Sequence, residues 1–99
     1  MERMRLISRR PLKQFRQEYP DAATALRHWI KAVETAAWKN FADVRQLFGS
    51  ADQVGKFVVF NIAGNKYRLI VVIHYDRQRC YVRHILTHKE YDLGKWKKE

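Results

Sequence analysis

The sequence predicts an α+β fold, with helices packed on one face of a small antiparallel sheet, from three observations. Apolar residues recur at helical spacing before residue 50. From Lys56 onward the texture changes to β-branched and aromatic runs separated by turn residues. No strand alternates with a helix as a parallel βαβ unit requires. At 99 residues, 46% of them hydrophobic, the chain can build one modest core and no second one, so 1–99 is read as a single domain.

Each element follows from local chemistry. Met4 to Ile7 is a short apolar run suited to an edge strand, with Ser8 as a candidate helix cap and Pro11 in the first turn. The first helix runs through RRPLKQFRQEY, placing Leu12, Phe15 and Tyr19 on one face; Pro20 ends it. Asp21 is the expected cap of a second helix on which Ala22, Leu26, Trp29, Ile30 and Val33 share a face. The stretch WKNFADVRQLFGSADQVG is less regular, and Asp43 and Gly49 bracket one expected turn that directs Trp38, Phe41, Val44 and Phe48 into the core.

Three strands follow, FVVFNI, KYRLIVVIHY and CYVRHILT, joined by a tight turn at Gly64-Asn65 and a polar reversal at DRQR, which makes an antiparallel meander. Alternation on the second strand puts Tyr67, Leu69, Val71, Ile73 and Tyr75 toward the helices. Lys66, Arg68, Ile70, Val72 and His74 take the opposite face, expected to be open. THKEYD is expected as the polar segment after the last strand, and the basic tail LGKWKKE as frayed.

Twenty Lys and Arg against ten Asp and Glu give a formal charge of +10, and both halves of the chain carry the excess. Such a body favours nucleic acid or another polyanion. The single Cys80 cannot form an internal disulfide and reads as a small buried residue. No signal-like segment or apolar span is evident, so a soluble cytoplasmic protein is expected. No nucleotide-binding, zinc or EF-hand signature is present, nor an acidic cluster suited to paired magnesium ions, and no cofactor or metal is expected.

Arg68 supplies a planar cation for a phosphate. His88 and Tyr91 supply groups able to move protons, beside the fixed charge of Lys89. These are the parts for metal-free RNA cleavage, because RNA carries its own nucleophile in the 2′-OH. The same charges also suit a non-catalytic nucleic-acid-binding module or a protein-interaction subunit, and operator binding by this chain alone is the weakest option.

The run VVFNIAGNKYRLIVVIHYDRQRCYVRHILTHKEYD resembles the HigB toxins of the RelE-like superfamily. The likeness is carried by Phe60-Asn61, Gly64-Asn65, Arg68 before an apolar strand, Cys80-Tyr81, and Thr87-His88-Lys89-Glu90-Tyr91-Asp92. It implies an mRNA endonuclease, in many members ribosome-dependent, neutralised by a HigA-type helix-turn-helix antitoxin through which operator DNA is bound. It also implies Arg68 at the scissile phosphate and His88, Lys89 and Tyr91 in acid and base roles, their assignment left open. Lys56, Asn61, Lys66, Arg83 and Lys89 are the further RNA-binding candidates. The superfamily's paired lysines before the hairpin are not reproduced: FVVFNIAGN has Lys56 in front and Lys66 behind.

Overall fold

The computed structural model describes residues 2–98. Its elements are β1 (Arg5–Ile7), α1 (Arg10–Glu18), α2 (Ala23–Thr35), α3 (Phe41–Leu47), β2 (Asp52–Val54), β3 (Phe57–Ile62), β4 (Tyr67–His74), β5 (Arg79–Thr87) and α4 (His88–Leu93), with single 3₁₀ turns at Pro20–Ala22 and Lys95–Lys98. The sheet runs β1-β5-β4-β3-β2. All neighbours are antiparallel except β1, which lies parallel to β5. This is the α+β class expected, with an extra edge strand, β2, and two helices, α3 and α4, where a single turn and a polar segment were expected. Among the described residues no helix is long and apolar enough to cross a membrane.

The helix starts differ from expectation. Ser8 does not cap α1: it takes a positive φ of 64° in the link from β1, and Arg9 precedes the helix without a side-chain cap. Pro11 fills the first turn, where a missing N–H costs nothing. Asp21 does not cap α2 either, because Pro20 starts a 3₁₀ turn that carries the chain on to Ala23. Its carboxylate instead accepts the Tyr67 hydroxyl at 2.7 Å and the Lys66 ammonium at 3.3 Å. In α3 the cap is Asn40, whose Oδ1 accepts the amide of Asp43 at 3.0 Å. Asp43 reciprocates by accepting the amide of Lys39. Trp38 and Val44 are buried beneath it, and Phe41 and Phe48 are half-buried against the same core.

The main core lies between the helices and one sheet face. Leu12, Leu26, Trp29 and Val33 meet Val58, Phe60, Leu69, Val71, Cys80 and Val82 there. The outer face is not open as expected. A second, smaller core of Phe57, Val59, Ile70 and Trp96 covers part of it, flanked by Val54, Val72, Leu86 and Tyr91. The tail is therefore not frayed: Trp96 is only 4% exposed, because burying one indole offsets the charge of its lysine neighbours.

Two backbone details set how side chains fall along β4 and β5. In the β3–β4 turn the positive φ angles occur at Ala63 and Gly64, one residue earlier than expected, which leaves Asn65 to face β4. On β5 the register slips between Val82 and His84 opposite Val71 and Ile70, so Arg83 is the extra residue of a bulge.

Candidate catalytic site

The site forms where the β3–β4 turn meets the end of β5. Thr87 pairs with Tyr67 at the last rung of the ladder and then caps α4. Its Oγ1 accepts the amide of Glu90 at 3.2 Å, while Glu90 Oε1 accepts the amide of Thr87 at 3.0 Å. This reciprocal box turns THKEYD into a helix where the sequence suggested irregular chain. The amide of His88 donates to the carbonyl of Lys66 at 3.1 Å, fastening the helix start to the turn.

Arg68 pairs with Asn61 on β3 and Leu86 on β5, so the three residues form one row on the outer face. Its Nη1 donates to the carbonyls of Asn65 and Tyr67, and its Nη2 donates to Asn65 Oδ1 at 2.9 Å. Three hydrogen bonds through Nη1 and Nη2 thus position the guanidinium, a planar fork suited to a bidentate phosphate contact. The guanidinium carbon lies 5.5 Å from the centroid of the Tyr91 ring. Tyr91 is stacked in turn on Trp96, with centroids 5.1 Å apart and planes at 16°.

Burial raises the pKa of the Tyr91 phenol above its ordinary value, and the carboxylates of Asp52 and Asp92 push the same way against the opposing charge of Arg68. The phenol holds its proton at neutral pH and is suited to donate it. His88 is half-exposed, with Nδ1 2.9 Å from Asp92 Oδ2 one helical turn on. That contact holds the imidazole against the helix through its Nδ1 edge. Asn65, Asp52, Asp92 and Trp96 were all missed by sequence reasoning. The Thr-x-x-Glu spacing of Thr87 and Glu90 was the signal that would have revealed α4, and hence Asp92 beneath His88.

Arg68, Asn61, His88 and Tyr91 are brought to one end of the sheet, with Lys89 exposed on the first turn of α4. The other candidates lie elsewhere. Lys56 occupies the β2–β3 turn, with Nζ 5.3 Å over the Phe57 ring, five residues and about 17 Å of strand from Asn61. Lys66 borders the site through its carbonyl, but its ammonium reaches back to Asp21. Arg83 projects from the bulge beside a hollow lined by Pro11, Gln14, Phe15 and Glu18. Among the described residues no group of three or more His, Cys, Asp or Glu side chains is placed to hold a metal ion.

Residues 22–94 match the model of the HigB toxin family, the RelE-like toxic component of a toxin–antitoxin system. The chain belongs to that family. It is 33% identical over 93 residues to the mRNA interferase toxin HigB of Escherichia coli strain K12, a match covering 91% of this chain and 89% of the relative. The mRNA interferase HigB of Shigella flexneri gives the same figures, and that of Escherichia coli O6:H1 is 29% identical over 92 residues, 90% of this chain and 89% of its own. In this HigB-family chain the matched span includes β3, β4, β5 and the whole of α4, so every residue gathered around Arg68 except Trp96 falls within it.

Proposed function

We propose that this chain is a ribosome-dependent mRNA endonuclease toxin that cuts without a metal ion. The observation that carries the reading is the convergence of Arg68, His88 and Tyr91 on one end of the sheet, held by Asn65, Asp92 and Trp96. His88 Nε2 takes the proton of the 2′-hydroxyl as that oxygen attacks phosphorus. Arg68 bears the charge that develops on the phosphoryl oxygens. The bond from phosphorus to the 5′-oxygen breaks, and the Tyr91 hydroxyl protonates the leaving oxygen. The products are a 2′,3′-cyclic phosphate and a 5′-hydroxyl. Asn61 and Lys89 hold flanking phosphates, with Lys56, Lys66 and Arg83 as outlying contacts. In the cytoplasm a HigA-type helix-turn-helix antitoxin binds and silences the chain and provides its only link to operator DNA.

The names of the relatives support the activity, and the half-buried guanidinium beside a phenol that keeps its proton supports the division of labour. The test is cleavage of ribosome-bound mRNA by purified protein, with the ends analysed chemically. Discrete cuts ending in a 2′,3′-cyclic phosphate are expected. Ends bearing a 5′-phosphate would mean an activated water and a different mechanism. RNA bound tightly, with steep salt dependence, yet left intact would make the chain a binding module instead.

A further inference from the structure

We propose that the half of the outer sheet face left bare by α4 is a second contact for the substrate RNA, a stacking and phosphate platform formed by Arg5, His74, Arg79 and Tyr81; this rests on the cleavage reading. The strand register places Arg5, Arg79 and His74 in one row across β1, β5 and β4. The next row, Leu6, Cys80 and Ile73, points into the main core, and the row after it, Ile7, Tyr81 and Val72, returns to the outer face. Two arginines and an imidazole therefore stand side by side, with Tyr81 one step behind them.

Neighbouring like charges on a sheet are unfavourable by themselves. Among the described residues no carboxylate forms an ion pair with Arg5 or Arg79. A phosphate chain laid across the row turns that repulsion into attraction. The His74 and Tyr81 rings meet edge to face, with centroids 5.2 Å apart and planes at 80°, and Tyr81 remains half-exposed. Aromatic rings set among cations suit a single-stranded nucleic acid better than an acidic protein surface, because bases stack on the rings while phosphates meet the charges.

The platform and the cleavage site share one face of the sheet. His74 is six residues from Arg68 on the same face of β4, about 20 Å away, a span of several nucleotides. Trp96 covers Ile70 between them, so the strand passes along β5 instead. A hollow of about 360 Å³ lies on that route, lined by His84, Leu86, Glu90, Leu93, Lys95 and Trp96.

The experiment measures binding of a 2′-O-methyl oligoribonucleotide of about twelve nucleotides, which lacks the nucleophile and cannot be cut. The double variant R5Q/R79Q is expected to bind more weakly and to lower the slope of log K against log salt by about 1.4, two phosphate contacts on a single strand. Tyr81→Leu is expected to lose about 5- to 150-fold in affinity and Tyr81→Phe to keep it, which gives an independent answer if the double variant does not fold. Folded R5Q/R79Q with wild-type affinity and slope overturns the platform while leaving cleavage at Arg68 intact. The same is true if that variant keeps its RNA affinity but no longer retains the antitoxin, since the row would then meet an acidic protein. Wild-type protein that neither binds this RNA nor cuts messenger overturns both readings.

Discussion

The Arg68 guanidinium lies over the face of Tyr91, 5.5 Å from the ring centroid, while its Nη2 donates to Asn65 Oδ1 at 2.9 Å. A cation held by an amide and an aromatic face is already oriented, and under the proposed mechanism little reorganisation would be needed at the transition state. Replacing Arg68 by Ala is expected to lower the cleavage rate by about 10²–10³, with a stability loss of only about 1 kcal/mol from the lost contact with Tyr91. Arg68→Lys should recover a minor part, since an ammonium cannot form the fork. Rate measurements beside denaturant midpoints check this, and a folded Arg68→Ala protein cutting at the wild-type rate would remove Arg68 from the site.

Under the proposed mechanism Asn65 acts through Arg68 as a positioning residue. Asn65→Ala removes the 2.9 Å contact to Nη2 and keeps the backbone acceptor, so a loss of about tenfold in kcat is expected with KM little changed. Asn65→Asp keeps an acceptor and should retain most of the activity. If the loss falls on KM alone, Asn65 is a binding residue.

Trp96 supports the site from behind. Trp96→Ala opens the small outer core and is expected to cost about 3 kcal/mol, releasing Tyr91 from its stack. Trp96→Phe should keep most of the activity. Unfolding followed by urea and hydrogen exchange in α4 report on this together, and an Ala variant with unchanged exchange there would contradict it.

Thr87→Ala breaks the capping box and should cost about 1 kcal/mol, concentrated in α4. The activity loss should exceed what that global figure implies, because His88 and Tyr91 both ride on this helix. Glu90→Gln preserves the reciprocal hydrogen bonds and serves as the control.

The Tyr67–Asp21 pair gives a pH dependence with a defined sign. The hydrogen bond to Asp21, followed by burial, pushes the Tyr67 pKa up to about 12 in the folded protein. Its contribution is therefore complete below the unfolded value of about 10 and is lost as pH rises from there through 12. The phenol lowers the Asp21 pKa in return, so that contribution is present above about pH 4 and lost as pH falls through the lowered folded value. Urea midpoints of wild type and Tyr67→Phe should converge at both extremes and differ most between them. A difference constant across pH would show that the hydrogen bond carries no such linkage.

Much of the fold was legible because its signals are local. Pro20 ends α1 wherever it stands, the spacing of Leu26, Trp29, Ile30 and Val33 has one helical solution, and β-branched runs write β3, β4 and β5. What escaped depends on partners distant in sequence. Asp52–Val54 has no apolar alternation and becomes a strand only because the β3 edge offers it a ladder. Trp96 sits among lysines, and nothing local says that Ile70 waits for it. At the candidate site, Arg68, His88 and Tyr91 could be proposed from their chemistry, and the fold brings them to one end of the sheet. Their supports could not, since Asn65 became available only when the turn's positive φ angles fell on Ala63 and Gly64. Lys66 shows the limit of side-chain counting: it flanks Arg68 in sequence, yet its charge goes to Asp21.

The position of α4 in the chain orders events during synthesis. When translation has reached Thr87, every strand and all three helices of the main core have been made. His88, Tyr91 and Trp96 have not. The stretch from His88 to Trp96 takes on the order of a second to add, and until it emerges and docks, Arg68 lacks both proposed proton carriers. Chain order alone thus places the two proposed proton carriers, His88 and Tyr91, after every strand and all three helices of the main core in the sequence of synthesis.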